Sequence, residues 1–170
     1  MTIDVPSLIL AAGGEVVGKV RLQKIVYLLD QIGLNSGFSY EYHHYGPYSD
    51  ELADQVEDDV VFGHLTAEQR RRHSDGVPYV VYKASTAGEG DRIDEHPLAD
   101  CVRSALSEMQ QRSATVLELA ATIHWLKVAE GLDDWCTELV RRKGAKTQNG
   151  RKGEALELLK VLGLPPAAWD

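Results

Sequence analysis

The sequence predicts a mainly α-helical protein of the α+β class, in which a winged-helix-like N-terminal half with a small antiparallel sheet packs on a C-terminal helical bundle. Apolar residues recur at helical spacing through most of the chain, whereas strand-like patterns occupy three short segments of the first half. The chain has 170 residues, of which 44% are hydrophobic and 26% charged. That length and composition are typical of a globular protein with a core of its own.

Two helices are expected first. Residues 5–12 form a short helix that Gly13 and Gly14 end, and residues 15–18 turn the chain. Residues 20–33 form an amphipathic helix. Its apolar face holds Leu22, Ile25, Val26, Leu29 and Ile32, and most of Arg21, Lys24, Asp30 and Gln31 lie on the other side.

A strand and a third helix follow. Aromatic and polar side chains alternate over residues 38–45, which indicates a strand that Gly46 and Pro47 break. Ser49 can cap a helix over residues 50–61, buried through Leu52, Val56 and Val60. The acidic residues of its first turn are favourable at the positive end of the helix dipole.

Residues 63–66 and 77–83 are expected to be two strands, joined by a polar loop that contains Arg70, Arg71 and Arg72. Helix, helix, strand, helix and hairpin is the order of a winged-helix variant. We therefore predict a winged-helix-like lobe at residues 1–85, a Gly- and acid-rich linker at 86–95 and a helical lobe at 96–170, which together form one compact domain.

The second half reads as helical throughout. Pro97 fits the first turn of a helix, and Thr115 with Glu118 three residues later is a capping-box pattern for a central helix to about residue 130. The apolar positions of the other three helices are Leu98, Cys101, Val102, Ala105, Leu106 and Met109, then Leu132, Trp135, Cys136, Leu139 and Val140, then Ala155, Leu158, Leu159 and Leu162. The tail, residues 165–170, has no role that the sequence indicates, although Trp169 is able to fold back on the bundle.

Charge and cysteine usage narrow the class of protein. The net charge is −8, and residues 1–95 account for all of this acidic excess. Two cysteines cannot form a disulfide framework, and no apolar run is long enough for a membrane span. The N-terminus lacks the basic region and the apolar region of a secretory signal. The expectation is a cytoplasmic protein with no membrane contact.

No motif for catalysis, cofactor binding or metal binding is present. The sequence lacks HExxH, CxxC, GxSxG, a phosphate loop and GxGxxG after a strand. His43 and His44 point to opposite faces of the predicted strand, and His124 reads as a hydrogen-bonded core residue. We therefore predict no catalytic residue, no metal and no cofactor.

The predicted third helix is acidic. Residues 49–62 contain no Lys or Arg. They contain six acids, which are Asp50, Glu51, Asp54, Glu57, Asp58 and Asp59. In a DNA-binding winged helix this helix would enter the major groove, where six acids would be repelled by phosphate. These residues form either a solvated helix face or a docking surface for a basic partner.

Residues 40–49, before the acidic helix, contain four tyrosines. One face of a strand cannot bury all four. Tyr40 and Tyr42 suit the core, whereas Tyr45 and Tyr48 flank Gly46-Pro47 and are candidates for an interface. The predicted partner-binding residues are Tyr45, Pro47, Tyr48, Asp50, Glu51, Asp54, Glu57 and Asp58.

A basic run without acids lies in the second half and offers an alternative. It could contact nucleic acid, or it could be a helix C-terminus followed by a solvated loop. The candidate nucleic-acid contacts are Arg70, Arg71 and Arg72 on the wing together with Arg141, Arg142, Lys143, Lys146, Arg151 and Lys152.

Two motifs resemble those of a known family. The segment Arg21-Leu22-Gln23-Lys24-Ile25-Val26-Tyr27-Leu28 and the segment Tyr45-Gly46-Pro47-Tyr48-Ser49, with Leu52 after it, are similar to the LQK-(L/I)-x-Y-L and YGPxS-x-x-L signatures of YwgA-like proteins and of SocA-type, or Panacea, antitoxin domains.

The resemblance implies a prokaryotic or phage-encoded, non-enzymatic domain that neutralises a toxin encoded nearby, in some members as an adaptor to a protease. The resemblance does not assign the tyrosine-rich strand, the acidic helix or the Arg70–Arg72 loop to that antitoxin branch. The leading hypothesis is a protein-binding antitoxin domain. The alternatives are a DNA-binding transcriptional regulator that uses the basic candidates, and an enzyme with His43 or His124 beside a carboxylate in a deep pocket.

Overall fold

The computed structural model describes residues 2–166, so most of the tail, including Trp169, lies outside the described residues. The α+β class with small antiparallel sheets is confirmed. The N-terminal half contains α1 (Val5–Ala11), β1 (Glu15–Val17), α2 (Lys19–Gln31), β2 (Glu41–His43), β3 (Gly46–Tyr48), α3 (Asp50–Val61), β4 (Thr66–Arg71) and β5 (Pro78–Lys83). The C-terminal half contains a 3-10 turn (Ile93–Glu95), α4 (Ala99–Gln110), α5 (Ala114–His124), a π-helical turn (Trp125–Ala129), α6 (Trp135–Lys143), a 3-10 turn (Gly144–Thr147) and α7 (Arg151–Val161).

Side-chain caps begin two helices of the N-terminal half, α1 and α3. Asp4 accepts a hydrogen bond from the Ser7 amide at the start of α1, and the Ser49 hydroxyl accepts one from the Leu52 amide at the start of α3. Each satisfies a backbone N–H that has no partner within the helix. The predicted cap of α3 is therefore confirmed.

The first sheet has the strand order β1-β5-β4, and both pairings are antiparallel. The prediction of a turn over residues 15–18 is wrong, because Glu15, Val16 and Val17 pair with β5. Only Val16 of the three is buried, and a strand of three residues is too short to show a periodic pattern.

The strand predicted at residues 63–66 lies further along, as β4. Arg70 and Arg71 are therefore strand residues paired with Tyr79 and Pro78, and only Arg72 of the three arginines lies in the turn. Five of the six β4 side chains are exposed. An exposed edge strand shows little alternation of apolar and polar residues, so the sequence pattern places this strand too early in the chain.

The second sheet is the hairpin β2–β3, in which Tyr42 lies opposite Pro47. The strand is thus shorter than the predicted range of residues 38–45. Gly46 and Pro47, which the sequence predicts only to break that strand, begin a second strand that pairs with it. Gly46 has φ of +91°, which lets the chain reverse after His44 and Tyr45.

The C-terminal half is built around α5, in which every residue from Val116 to His124 is buried, as predicted for the central helix. Its cap is the Ser113 hydroxyl, which accepts from the Val116 amide, so the capping box at Thr115 and Glu118 is wrong. Beyond that cap, two predicted apolar positions of α4, Leu98 and Cys101, are exposed.

One core of buried apolar residues spans both halves, through contacts of α5 with α2, α6 and α7. The division into lobes and a linker stays a prediction, and within residues 86–95 Ile93 is buried. No helix in residues 2–166 combines the length and the apolar character that crossing a bilayer requires.

Candidate partner-binding surface

The exposed face of α3 is an acidic surface. Asp50, Glu51, Asp54, Glu57 and Asp58 are all exposed. Among residues 2–166, none of these five carboxylates has a Lys or Arg nitrogen within ion-pair distance. We call these five residues the acidic face. Asp59, the sixth acid of the helix, is buried and is not part of the acidic face.

The β2–β3 hairpin lies beside the acidic face. Tyr45 is 48% exposed at its turn, and Tyr48 is partly buried. Burial, followed by the nearby carboxylates of Asp50, Asp54 and Glu57, raises the pKa of Tyr48. Tyr48 is therefore next to the acidic face, and Tyr45 is exposed at the hairpin turn. Pro47, placed on the same predicted surface, is buried and cannot touch a partner directly.

Two side chains of α2 hold the hairpin and α3 in place. The Gln23 amide group donates to the Ser49 carbonyl and accepts from the Ser49 N–H, both at 2.9 Å. The Lys24 ammonium donates to the Pro47 carbonyl. The LQK and YGPxS segments are thus in direct contact.

Lys24 is completely buried, so its placement on the polar side of the second helix is wrong. Burial lowers its pKa to about 8, an effect that the nearby charge of Glu118 opposes. Sequence reasoning missed this role because a lysine on a helix is most often solvated, and the acceptor lies on a distant segment.

The helix α6 and the 3-10 turn Gly144–Thr147 after it pack against the β2–β3 hairpin. The Arg142 guanidinium lies 4.6 Å from the Tyr42 ring centre, and the Lys146 ammonium lies 5.0 Å from that of Tyr45. The Lys143 ammonium donates to the His44 carbonyl at 3.1 Å. Arg142, Lys143 and Lys146 are candidates for nucleic-acid contact, and each of them already makes a cation–π or backbone contact with the hairpin.

Acids that lie outside residues 141–152, on α6 itself and on other segments, neutralise much of this basic run. Arg142 pairs with Glu130 at 2.7 Å and Glu138 at 2.6 Å, and Arg141 also pairs with Glu138. These two arginines lower the pKa of Glu138 to about 2. Arg151 donates to the backbone carbonyls of Lys146 and Ala145, and the Lys152 ammonium lies 3.9 Å from the Cys136 sulfur.

Glu118 is the buried partner of two of these cations. It is 3% exposed and accepts from Lys143 at 2.8 Å and from Lys146 at 3.0 Å. The pattern interpreted as a helix cap is therefore an ion pair that joins α5 to α6 and to the turn after it.

The wing arginines are also engaged. Arg70 pairs with Glu68 at 2.9 Å, Arg72 with Asp75 at 2.7 Å, and Arg71 donates to the Gly76 carbonyl at 3.1 Å. All three contacts are exposed, so they are weak and exchange readily with solvent.

A groove of about 550 Å³ lies between the two hairpins and the start of α2. Its lining residues are Lys19, Val20, Lys24, Tyr45, Tyr48, Arg72, Val77 and Tyr79, which include no carboxylate. Sequence reasoning missed this groove because it joins three segments that are far apart in the chain. It adjoins the acidic face through Tyr48.

His43 and His124, the two histidines of the enzyme alternative, each contact a tyrosine. The His124 Nδ1 is 2.8 Å from the Tyr27 hydroxyl oxygen, and burial lowers the pKa of His124 to about 4. His43 stacks on Tyr48 with 4.9 Å between ring centres. In the described part of the chain, no group of three or more His, Cys, Asp or Glu side chains is arranged to hold a metal ion.

The chain is similar to YwgA. Over 123 residues it is 29% identical to the uncharacterised YwgA protein of Bacillus subtilis (strain 168), a match that covers 71% of this chain and 70% of YwgA. This similarity suggests a YwgA-like family, while no family model matches the chain.

A second relative is much longer. The chain is 27% identical over 171 aligned positions to a DNA ADP-ribosyl glycohydrolase of Thermus aquaticus (strain ATCC BAA-2747 / Y51MC23). The match covers 92% of this chain and 45% of that protein. The chain therefore spans less than half the length of the glycohydrolase.

Proposed function

We propose that this chain is a non-enzymatic, cytoplasmic protein-binding domain of the SocA-type, or Panacea, antitoxin class that neutralises a toxin protein by direct contact. The observation that carries the proposal is the acidic face, whose five carboxylates are exposed and unpaired by Lys or Arg within residues 2–166. A partner encoded nearby, and in some settings a protease that receives it, belongs to the same proposal.

Electrostatics supports a basic protein as the partner. Complementary charge accelerates encounter, and buried aromatic anchors supply much of the binding energy of an interface. The acidic face supplies the complementary charge, and Tyr45 and Tyr48 supply the aromatic anchors. The groove beside Tyr48 gives an apolar partner side chain a place to bury.

The winged-helix arrangement is part of the proposal. It is supported by the order α1-β1-α2-α3-β4-β5, into which the β2–β3 hairpin is inserted between α2 and α3, and by the sheet order β1-β5-β4. In this arrangement α3 occupies the position of a recognition helix, but its surface charge suits a polypeptide better than a phosphate backbone.

The DNA-binding alternative has less support. Four of the nine cations that it would use pair with Glu118, Glu130 or Glu138, namely Arg141, Arg142, Lys143 and Lys146. The hydrolysis named for the Thermus aquaticus relative belongs to a protein of which this chain covers 45%, so the proposal does not extend that activity to the chain.

The test is co-expression with the product of the neighbouring gene, followed by co-purification. Asp54→Lys/Glu57→Lys should abolish rescue of growth and weaken binding at least tenfold, because it converts two attractive charges into repulsive ones. Binding of the unchanged chain should also weaken as salt rises.

The matched control is Glu154→Lys/Glu157→Lys on α7. These two glutamates are exposed, share the same i,i+3 spacing, and undergo the same change in net charge. The control should bind the partner within about twofold of the unchanged chain, since an exposed charge far from an interface contributes little. Absence of rescue and of co-purification by the unchanged chain would overturn the proposal, and a mobility shift with DNA that disappears at high salt would favour the regulator.

A further inference from the structure

A second acidic site lies between the start of α1 and the end of α3, at the opposite end of α3 from the hairpin. It is a cavity of about 270 Å³ whose lining includes Asp4, Asp58, Asp59, Glu89, Gln55 and His64. No Lys or Arg of residues 2–166 lines it. Four carboxylates thus meet around one cavity without a lysine or arginine among them.

Two of these carboxylates are buried and incompletely hydrogen-bonded. Asp4 is 2% exposed, and its Oδ1 accepts from the Ser7 and Gly88 amides at 3.2 and 3.1 Å. Asp59 is 5% exposed, and its Oδ1 lies 3.2 Å from the His64 Nδ1. The Oδ2 atoms of both aspartates have no partner within the described chain.

Such an arrangement is unusual for a group that serves only the fold. Buried carboxylate oxygens are nearly always paired, because leaving one unpaired costs the full desolvation of a charged acceptor. Burial raises the pKa of Asp59, and the charge of Asp4 adds to the effect, although the hydrogen bond with His64 lowers it. The site is therefore short of positive charge and of hydrogen-bond donors.

The geometry favours an organic cation over a metal ion. No metal-binding arrangement of His, Cys, Asp and Glu occurs in the described residues. A cavity of about 270 Å³ also exceeds what one ion or one water molecule fills, since a water takes about 30 Å³ of liquid volume. A guanidinium is planar, carries five N–H donors and is weakly hydrated, so it can serve two carboxylates at once.

We propose that this cavity binds a guanidinium group, which the unpartnered oxygens of Asp4 and Asp59 accept as a charged hydrogen-bond donor. The group is supplied either by an arginine side chain of another protein or by a free guanidino compound. The cavity shares Asp58 with the acidic face, but the binding of a guanidinium group does not require the toxin-binding proposal.

The test uses two small cations of equal charge. Methylguanidinium and methylammonium are titrated into the full chain, and backbone amide shifts are recorded by ¹H–¹⁵N NMR. Methylguanidinium should shift the amides of Asp4, Asp59 and His64 with saturation, and methylammonium should bind at least tenfold more weakly. Equal binding of the two cations, or no saturable shift at these amides, would overturn the proposal.

Two variants separate the site from general attraction to an acidic surface. Asp59→Asn has nearly the same shape and should weaken methylguanidinium binding at least tenfold, whereas Asp54→Asn, exposed on the same helix, should leave it unchanged. If Asp59→Asn does not fold, Asp4→Asn replaces it, because Asn also caps helices well. Equal weakening by Asp54→Asn and by the cavity variant would overturn the proposal.

A second pair of probes distinguishes the source. Nα-acetyl-arginine methylamide presents the group as a protein would, and agmatine presents it as a free compound. Tighter binding of the former supports a protein partner, and tighter binding of the latter supports a small molecule. The Asp54→Lys/Glu57→Lys chain should still bind methylguanidinium, so failure of the toxin-binding proposal and failure of this one are distinguishable.

Discussion

Lys24 illustrates how one residue can connect three segments. It is fully buried, donates to the Pro47 carbonyl, and lies near the carboxylate of Glu118 on α5. Burying an ammonium group is costly unless it is hydrogen-bonded and close to an opposite charge, and both conditions hold here. The lysine thus fixes the position of the hairpin that presents Tyr45 and Tyr48.

His124 makes the stability of the fold depend on pH. Its pKa is about 4 in the folded chain, below the usual value of 6.5, so the unfolded chain binds more protons between these two values. Stability should therefore fall as pH decreases from 6.5 to 4, by about 3 kcal/mol from this residue alone. Urea unfolding of the native chain and of His124→Gln across this range measures the difference.

Glutamine at position 124 can still hydrogen-bond with the Tyr27 hydroxyl but does not titrate, so the variant should show a flatter dependence on pH. His73→Gln is the control, since His73 is exposed and should leave the profile unchanged. Parallel profiles for the native chain and His124→Gln would contradict this assignment.

At the scale of elements, the β2–β3 hairpin approaches α5 most closely at Gly46. A Cβ at this position would lie 2.7 Å from the Thr122 hydroxyl oxygen, in addition to the strain of a φ of +91°. Gly63 has a similar φ of +80°, but a Cβ there would meet nothing within 4 Å. The two glycines therefore separate backbone strain from close packing.

Gly63→Ala should lower the free energy of unfolding by about 1–2 kcal/mol through backbone strain alone. Gly46→Ala should cost about 1–3 kcal/mol more, because the added methyl group overpacks the contact with α5. Chemical denaturation of both variants measures these costs, and equal values would show that Thr122 moves away without a penalty.

The sequence predicted the helices well and the short strands poorly. The periodic apolar residues of α2, α3 and α5 identified these helices because each buries a face over at least three turns. β1 and β3 have three residues each, and β3 begins with Gly46-Pro47, a pair that ordinarily indicates a break.

The same contrast applies to the candidate site. Helical spacing alone placed the acids of α3 on an exposed face, because the apolar stripe determines which side is buried. The ion pairs of Glu118, the burial of Lys24 and the carboxylate cavity join residues from separate segments. Such contacts depend on tertiary packing, which no local pattern records.

On the scale of the whole molecule, the buried pair of Glu118 and Lys143 connects the central helix to the surface that supports the hairpin. The side chains of Glu118 and Lys143 are 4% and 2% exposed, so removing one charge leaves the other buried. Glu118→Gln should therefore cost about 3–5 kcal/mol of unfolding free energy.

The double variant Glu118→Gln/Lys143→Met should recover much of that loss, since no uncompensated ammonium remains at position 143. Lys146→Met should have a small effect, because the Lys146 side chain is 41% exposed. Urea unfolding followed by tryptophan fluorescence and by far-UV circular dichroism measures all three. A double variant no more stable than Glu118→Gln would show that the two charges are not coupled.

The strand β4 forms one edge of the three-stranded sheet and bears Glu68, Arg70 and Arg71. Charged side chains along an open edge discourage another strand from adding to it, so neighbouring molecules are kept from joining their sheets into fibres. The short β1, at the opposite edge, offers only three residues for such an addition. We therefore expect a partner to recognise side chains instead of adding a strand to this three-stranded sheet.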